Sequence, residues 1–315
     1  MLLLWILVFC VSLAVLVKGA DWLIASAERI GLALGLSPFI IGITIVGVGT
    51  SFPELVSSLA AVWQGVPEVV AANAIGSNIA NILLIVGISA LVGKRLVVTK
   101  DLIDLDLPLL AISMVLVLGS VWDGVVTLGE SLLLLLAYSI YLIYTVVHTE
   151  DVQEAGESSQ ERIQKPKLTW LDILRFCMGL VALIFGAKYL IDALTEISTL
   201  MQIGAGVIAI TAVAIGTSLP ELLVSIKAAR QGKSEIALGN IFGSNIFNGL
   251  VVVGLPGLFS RLPIDAQTLA IGVPAMMLAT ILFVISGISR RVHVWEGALY
   301  LVLYLLFLGK LFAWL

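Results

Sequence analysis

Long apolar runs separated by short polar stretches divide this chain from end to end. A helix that crosses a lipid bilayer needs about 20 apolar residues. Ten segments qualify, over 2–26, 38–63, 68–91, 105–121, 125–147, 170–194, 204–229, 235–259, 267–287 and 293–314. They are continuous runs rather than the roughly ten-residue apolar/polar alternation of a membrane β-strand, so each is predicted to be a helix. One long polar stretch, 148–169, carries Glu150, Asp151, Glu154, Glu157 and Glu161 beside Arg162, Lys165 and Lys167. It falls between the fifth and sixth segments. The pattern predicts an all-α membrane protein: a first five-helix repeat over 1–147, an acidic linker over 148–169, and a second five-helix repeat over 170–315. The linker lacks the ligand spacing of an EF-hand and reads as a solvated connection.

Composition agrees with the pattern. The chain is 60% hydrophobic and 12% charged, with a mean hydropathy of +1.13, where a soluble domain is about half apolar and a quarter charged. A net charge of −4 gives no basis for binding nucleic acid. Cys10 and Cys177 lie in apolar runs without metal-ligand spacing and read as small buried or lipid-facing residues. The first 17 residues lack a basic leader and a small-residue cleavage site, and read as a retained first helix. Trp5, Trp122, Trp170, Trp295 and Trp314 lie near span ends, as interfacial anchors do.

Lys and Arg set the expected orientation. Arg29, Lys94, Arg95, Lys100, Arg162, Lys165, Lys167, Arg230, Lys233, Arg290 and Arg291 fall on one side, and Arg261 and Lys310 on the other. The richly basic side is expected to be cytoplasmic. The 148–169 loop is then cytoplasmic, both termini lie outside, and the cell membrane is the expected location.

The polar residues inside the spans repeat. Gly49-Thr50-Ser51-Phe52-Pro53-Glu54-Leu55 returns as Gly216-Thr217-Ser218-Leu219-Pro220-Glu221-Leu222, an offset of 167 positions. Gly76-Ser77-Asn78-Ile79-Ala80-Asn81 returns as Gly243-Ser244-Asn245-Ile246-Phe247-Asn248 at the same offset, which also aligns Gly19 with Gly186, Thr44 with Thr211 and Asn73 with Asn240. An odd number of helices per repeat makes the second repeat enter the membrane in the opposite direction. Such inverted repeats bring related motifs together at the midplane.

Each motif carries a carboxylate where a charge is costly, which marks a functional site. Pro53 and Pro220 remove a helical N–H and clash with the carbonyl four residues earlier, at Gly49 and Gly216. The spacing therefore predicts a break in each helix, with carbonyls near Gly47–Thr50 and Ala214–Thr217 turned inward. Thr50 and Glu54 share a face, as do Thr217 and Glu221. Asn73, Ser77 and Asn81 form a second stripe, matched by Asn240, Ser244 and Asn248. Two carboxylates among hydroxyls, amide oxygens and carbonyls make an all-oxygen set suited to Ca²⁺ or Na⁺. No His or Cys lies near, which argues against zinc or copper. Interhelical packing alone would account for one such motif, but not for two matched pairs.

The paired GTSxPEL and GSNIxN segments resemble the two alpha-repeats of the cation/calcium antiporter superfamily, which includes the sodium/calcium exchangers. The resemblance spans nearly the whole membrane region. It implies ten transmembrane helices as two inverted five-helix repeats, with broken core helices 2, 3, 7 and 8 around the ions. The first and sixth helices, bearing Lys18 with Asp21 and Lys188 with Asp192, would slide across that core. Glu54 and Glu221 would bind calcium with the carbonyls of Thr50 and Thr217. Ser51, Ser77, Asn81, Ser218, Ser244 and Asn248, with the carbonyls of Gly47 and Ala214, would complete the calcium and sodium sites. The implied function is secondary antiport of Ca²⁺ for Na⁺, without cofactor or obligatory protein partner. Many sodium/calcium exchangers have Asp where Asn248 stands, so H⁺ coupling on the same scaffold is the alternative. The retained GSNIxN motifs favour Na⁺.

Other readings fit less well. A channel with the two glutamates as a selectivity ring would place its pore along an open path. An intramembrane protease would need one shared proton and a water, leaving the hydroxyls and amides idle. His148 and His293 are expected at interfacial helix ends. Asp101, Asp104 and Asp106 are expected to place negative charge at the start of the fourth helix. Lys18 with Asp21, and Lys188 with Asp192, read as local ion pairs. Glu130 lies inside the fifth segment with no counterpart in the other repeat.

Overall fold

The computed structural model describes residues 2–99, 106–156, 166–201 and 218–312. Within them the chain is mainly helical: α1 (Leu2–Ala33), α2 (Pro38–Trp63), α3 (Glu68–Val92), α4 (Asp106–Val121), α5 (Leu128–Gly156), α6 (Trp170–Leu200), α7 (Leu219–Arg230), α8 (Ser234–Gly257), α9 (Thr268–Ile288) and α10 (Val294–Leu311). Eight helices among the described residues are long and apolar enough to cross a membrane, and α4 is a shorter apolar helix. The first half of the predicted seventh segment lies outside the described residues.

Several ends differ from the sequence reading. α1 and α6 run on to Ala33 and Leu200, past the expected 26 and 194. α5 continues to Gly156, so the stretch expected as a solvated loop over 148–169 begins as helix. Hydropathy marks where a helix leaves the bilayer, whereas propagation adds one hydrogen bond per residue on either side of that boundary.

Burial sorts the helices into layers. In the apolar stretch of each helix, all residues of α8 are buried, 72% in α3 and 67% in α2, against 17% in α1 and 28% in α6. The interior is therefore built from the helices that carry the repeated motifs. α1 and α6 pack along each other with their backbones close: a Cβ on Gly19 would stand 2.9 Å from Ala182 Cβ, and one on Gly179 2.9 Å from Leu23 N. Small residues permit such approach between apolar helices. The contact between α2 and α8 is closer still. A Cβ on Gly239 would lie 2.4 Å from the Phe39 carbonyl oxygen, and one on Gly243 2.0 Å from that of Ile43.

Two short antiparallel ladders tie helix ends together. β1 (Arg95–Val97) pairs with β4 (Arg291–His293), and β2 (Val125–Val126) pairs with β3 (Leu262–Pro263). The offset of 167 carries one ladder onto the other: Arg95↔His293 maps onto Leu262↔Val126, and both are observed pairs. β1 precedes α4 and β2 follows it, so the ladders lie at opposite ends of that helix.

The basic loops gather at the β1/β4 end. Lys233 bonds Glu28, Arg29 Nε lies 3.3 Å from Asp172 Oδ1, and Thr99 N donates to Glu235 Oε1 at 2.8 Å. Asp21 pairs with Lys227 of α7 at 2.6 Å rather than with Lys18, whose ammonium lies over the Trp22 ring. The expected local pair thus gives way to a bond between helices, because α7 passes beside α1. Glu130 closes the first turn of α5 by accepting from Thr127 N and Oγ1 at 2.8 and 2.7 Å. Glu296 accepts from His293 N at 2.7 Å at the start of α10. Glu130 is therefore a helix-capping residue, with a counterpart one position out of register.

Candidate functional site

The first proline motif breaks its helix at the serine, and the second begins a helix after its serine. Ser51 (φ −85°, ψ 3°) separates Gly47–Thr50 from the helical stretch Phe52–Trp63, and Ser218 (φ −85°, ψ 8°) stands before α7. Pro53 and Pro220 fall in the first turn of the new helix, where a missing N–H costs nothing. Glu54 and Glu221 follow directly, at the positive end of the helix dipole. The predicted inward turn of the Gly47 carbonyl is present. It accepts from Ser51 N at 3.2 Å and from Ser244 Oγ of α8 at 3.2 Å. Ala214 and Thr217, the predicted partners in the second repeat, lie outside the described residues.

Glu54 and Glu221 are fully buried and close enough for their charges to interact. Ser51 Oγ donates to Glu221 Oε1 at 3.0 Å, which joins the repeats directly. Among the described residues, Glu221 Oε2 and both carboxylate oxygens of Glu54 have no hydrogen-bond partner. Asn81 and Asn248 are also fully buried, and neither amide has a partner among those residues. Buried polar groups are nearly always paired, and each orphan costs about 1–3 kcal/mol. Four such side chains in one core carry polar atoms that the described residues leave unsatisfied.

The third and eighth helices are interrupted, but not by proline. α3 widens into a π-helix over Ala80–Val86, and α8 does the same over Asn248–Val252. Asn81 and Asn248 sit at the start of these segments. A π segment shifts the helical register and is common at functional sites. The α3 segment packs on α7, and the α8 segment packs on Phe52–Trp63. Each asparagine-bearing segment thus lies against the helix that begins with the other repeat's glutamate.

The predicted polar stripes divide into two roles. Ser77, Asn81, Ser244 and Asn248 are buried in the core, and Ser218 is buried at its helix start. Asn73 and Asn240 instead brace the carboxylate helices. Asn240 Nδ2 donates to Ser225 Oγ at 2.9 Å, and Asn73 Nδ2 to Ser58 Oγ at 3.1 Å, an equivalent pair under the offset. Thr50 Oγ1 donates to Asn240 Oδ1 at 3.0 Å. Ser58 and Ser225 were not singled out from sequence, although the offset itself aligns them. Thr44 is spent within its own helix, donating to Ile40 O at 2.7 Å.

The chain can be compared with known proteins on this geometry. The family model described as "Sodium/calcium exchanger protein" matches residues 4–147 and 171–313. The inner membrane protein YrbG of Escherichia coli (strain K12) is 34% identical over 278 residues, covering 87% of this chain and 85% of that protein. The sodium/calcium exchanger MaX1 of Methanosarcina acetivorans is 32% identical over 345 residues, covering 97% and 98%. A solved structure of the sodium-calcium exchanger NCX_Mj superposes with a TM-score of 0.80 at 29% identity, covering 97% of this chain and 98% of that one. On the paired motifs, the family match over both halves and the shared fold, the chain belongs to the sodium/calcium exchanger protein family.

Proposed function

We propose that this protein exchanges Ca²⁺ for Na⁺ across a cell membrane by alternating access, with two inverted five-helix repeats around one central site. Its family makes it a membrane ion transporter and not an enzyme. The observation that carries the proposal is the core of buried oxygens on Glu54, Glu221, Asn81 and Asn248 that lack a partner among the described residues. Two carboxylates balance one Ca²⁺. Ser51, Ser77, Ser218 and Ser244, with the carbonyls of Gly47, Thr50, Ala214 and Thr217, supply the remaining oxygens for Ca²⁺ and Na⁺. Hard cations take such ligands in numbers of six to eight.

The exchange requirement follows from charge. A site holding two bare carboxylates is costly to carry across the midplane. Another cation must neutralise it before the protein can return, so release of Ca²⁺ is tied to binding of Na⁺. The equivalence of the two ladders under the repeat offset supports the inverted repeat. The basic end, with Arg29, Lys233 and the β1/β4 loops, is assigned to the cytoplasm. That assignment puts both termini outside.

Asn248 favours a second reading. With no third carboxylate, protons could neutralise Glu54 and Glu221 in place of Na⁺. Calcium uptake into proteoliposomes, driven separately by a sodium and a proton gradient, distinguishes the two. Uptake driven by sodium at uniform pH is expected; uptake driven by the proton gradient alone would establish the alternative.

A further inference from the structure

A second polar cavity lies between α3, α4, α8 and α9, apart from the two glutamates. Its volume is about 10 Å³, and its polar lining is Asn78, Ser113, Asn245 and Thr280. The offset of 167 relates Asn78 to Asn245 and Ser113 to Thr280, so the cavity lies where the repeats meet. Asn78 and Asn245 are 7% and 4% exposed.

Each amide nitrogen and hydroxyl around this cavity already donates to a backbone carbonyl. Asn78 Nδ2 donates to the Asn245 carbonyl at 3.1 Å, and Asn245 Nδ2 to the Ile241 carbonyl at 2.6 Å. These acceptors fix which way each amide points. Ser113 Oγ donates to the Leu110 carbonyl at 2.7 Å, and Thr280 Oγ1 to the Met276 carbonyl at 2.9 Å. Among the described residues, Asn78 Oδ1 and Asn245 Oδ1 have no partner. Two oxygen acceptors at the cavity thus lack a donor among the described residues, while each amide nitrogen still carries a second hydrogen.

We propose that this cavity is a binding site for one water molecule, which donates one hydrogen to Asn78 Oδ1 and one to Asn245 Oδ1. The volume suits a single water, and two polar partners suffice to hold it. A cation would also satisfy acceptors, but no charged side chain lines the cavity, and an unneutralised buried charge costs far more than a bridged water. The bridge joins α3 to α8 at the repeat axis. Asn78 adjoins Ser77 and Asn245 adjoins Ser244, so the water holds the two GSNIxN segments in mutual register. Gly249 limits the wall: a Cβ there would press on Val117 Cγ2 at 2.9 Å and lie 3.9 Å from Asn78 Nδ2. The inference holds for either coupling ion.

Two measurements on the full-length protein test it. A high-resolution structure should show one peak within hydrogen-bond distance of both Oδ1 atoms, with no anomalous signal after a rubidium soak. An empty cavity, or an anomalous rubidium peak at that position, would overturn the proposal. The second is a thermal double-mutant cycle on Asn78→Ala and Asn245→Ala. The direct bond from Asn78 goes to the backbone of Asn245, which alanine retains, so coupling between the side chains passes through the shared water. The double variant should lose less melting temperature than the sum of the two single losses, and strictly additive losses would refute the bridge.

Discussion

Replacing Glu54 or Glu221 by glutamine keeps the shape of the side chain and removes half of the charge that balances Ca²⁺. Both residues are fully buried, and the carboxylate oxygens of Glu54 have no hydrogen-bond partner among the described residues. Each substitution should abolish calcium transport while melting temperature holds or rises, because a buried charge has been removed. Stabilisation by added Ca²⁺ should vanish in the same samples. Retained uptake in proteoliposomes would remove either residue from the site. Asn248→Asp should act differently, since a third carboxylate against the Glu54 helix demands a further proton or Na⁺. The sodium and pH dependence of calcium uptake should shift relative to the parent protein. Superimposable curves would mean that Asn248 does not line the site.

At the scale of elements, the close contact of α2 with α8 carries the site. Ser244 reaches the Gly47 carbonyl, and Asn240 reaches Thr50, only because the glycines let the two backbones approach. Gly243→Ala would place a Cβ 2.0 Å from the Ile43 carbonyl oxygen, a backbone atom that cannot swing aside. Thermal unfolding in detergent should show a loss of about 1–3 kcal/mol or more, and calcium affinity should fall with it. Gly119→Ala in α4 meets nothing within 4 Å and makes the matched control. It should be neutral or stabilising by about 0.4–1 kcal/mol.

For the whole molecule, the proposed site is shared by the two repeats. If Glu54 and Glu221 bind one Ca²⁺ together, protons compete for the same carboxylate oxygens, and a protonated pair no longer balances the ion's charge. Calcium affinity measured without sodium should therefore weaken as pH falls from about 8 to about 5, and recover when pH is raised. The sign follows from competition alone and holds for sodium or proton coupling. A flat affinity would mean that Glu54 and Glu221 do not bind the ion together.

The sequence by itself determined the helical membrane class, and it supplied the proposed division into repeats and the proposed residues of the site. These signals are local or periodic: twenty-residue apolar runs, and a carboxylate and a proline kept at one offset inside them. It also located the helix break at the first motif, because proline acts on its own turn. Only the tertiary structure decided how those residues divide their work. Asn73 and Asn240 share a stripe with Asn81 and Asn248, yet Ser58 and Ser225 engage the first pair, while the amides of the second have no partner among the described residues. The π segments at Asn81 and Asn248 contain no proline, and arise where a helix adjusts to the neighbour it packs on. Asp21 chose Lys227 over Lys18 for the same reason. Hydrogen bonds and ion pairs between helices depend on which faces meet, and sequence spacing within one helix does not specify that meeting.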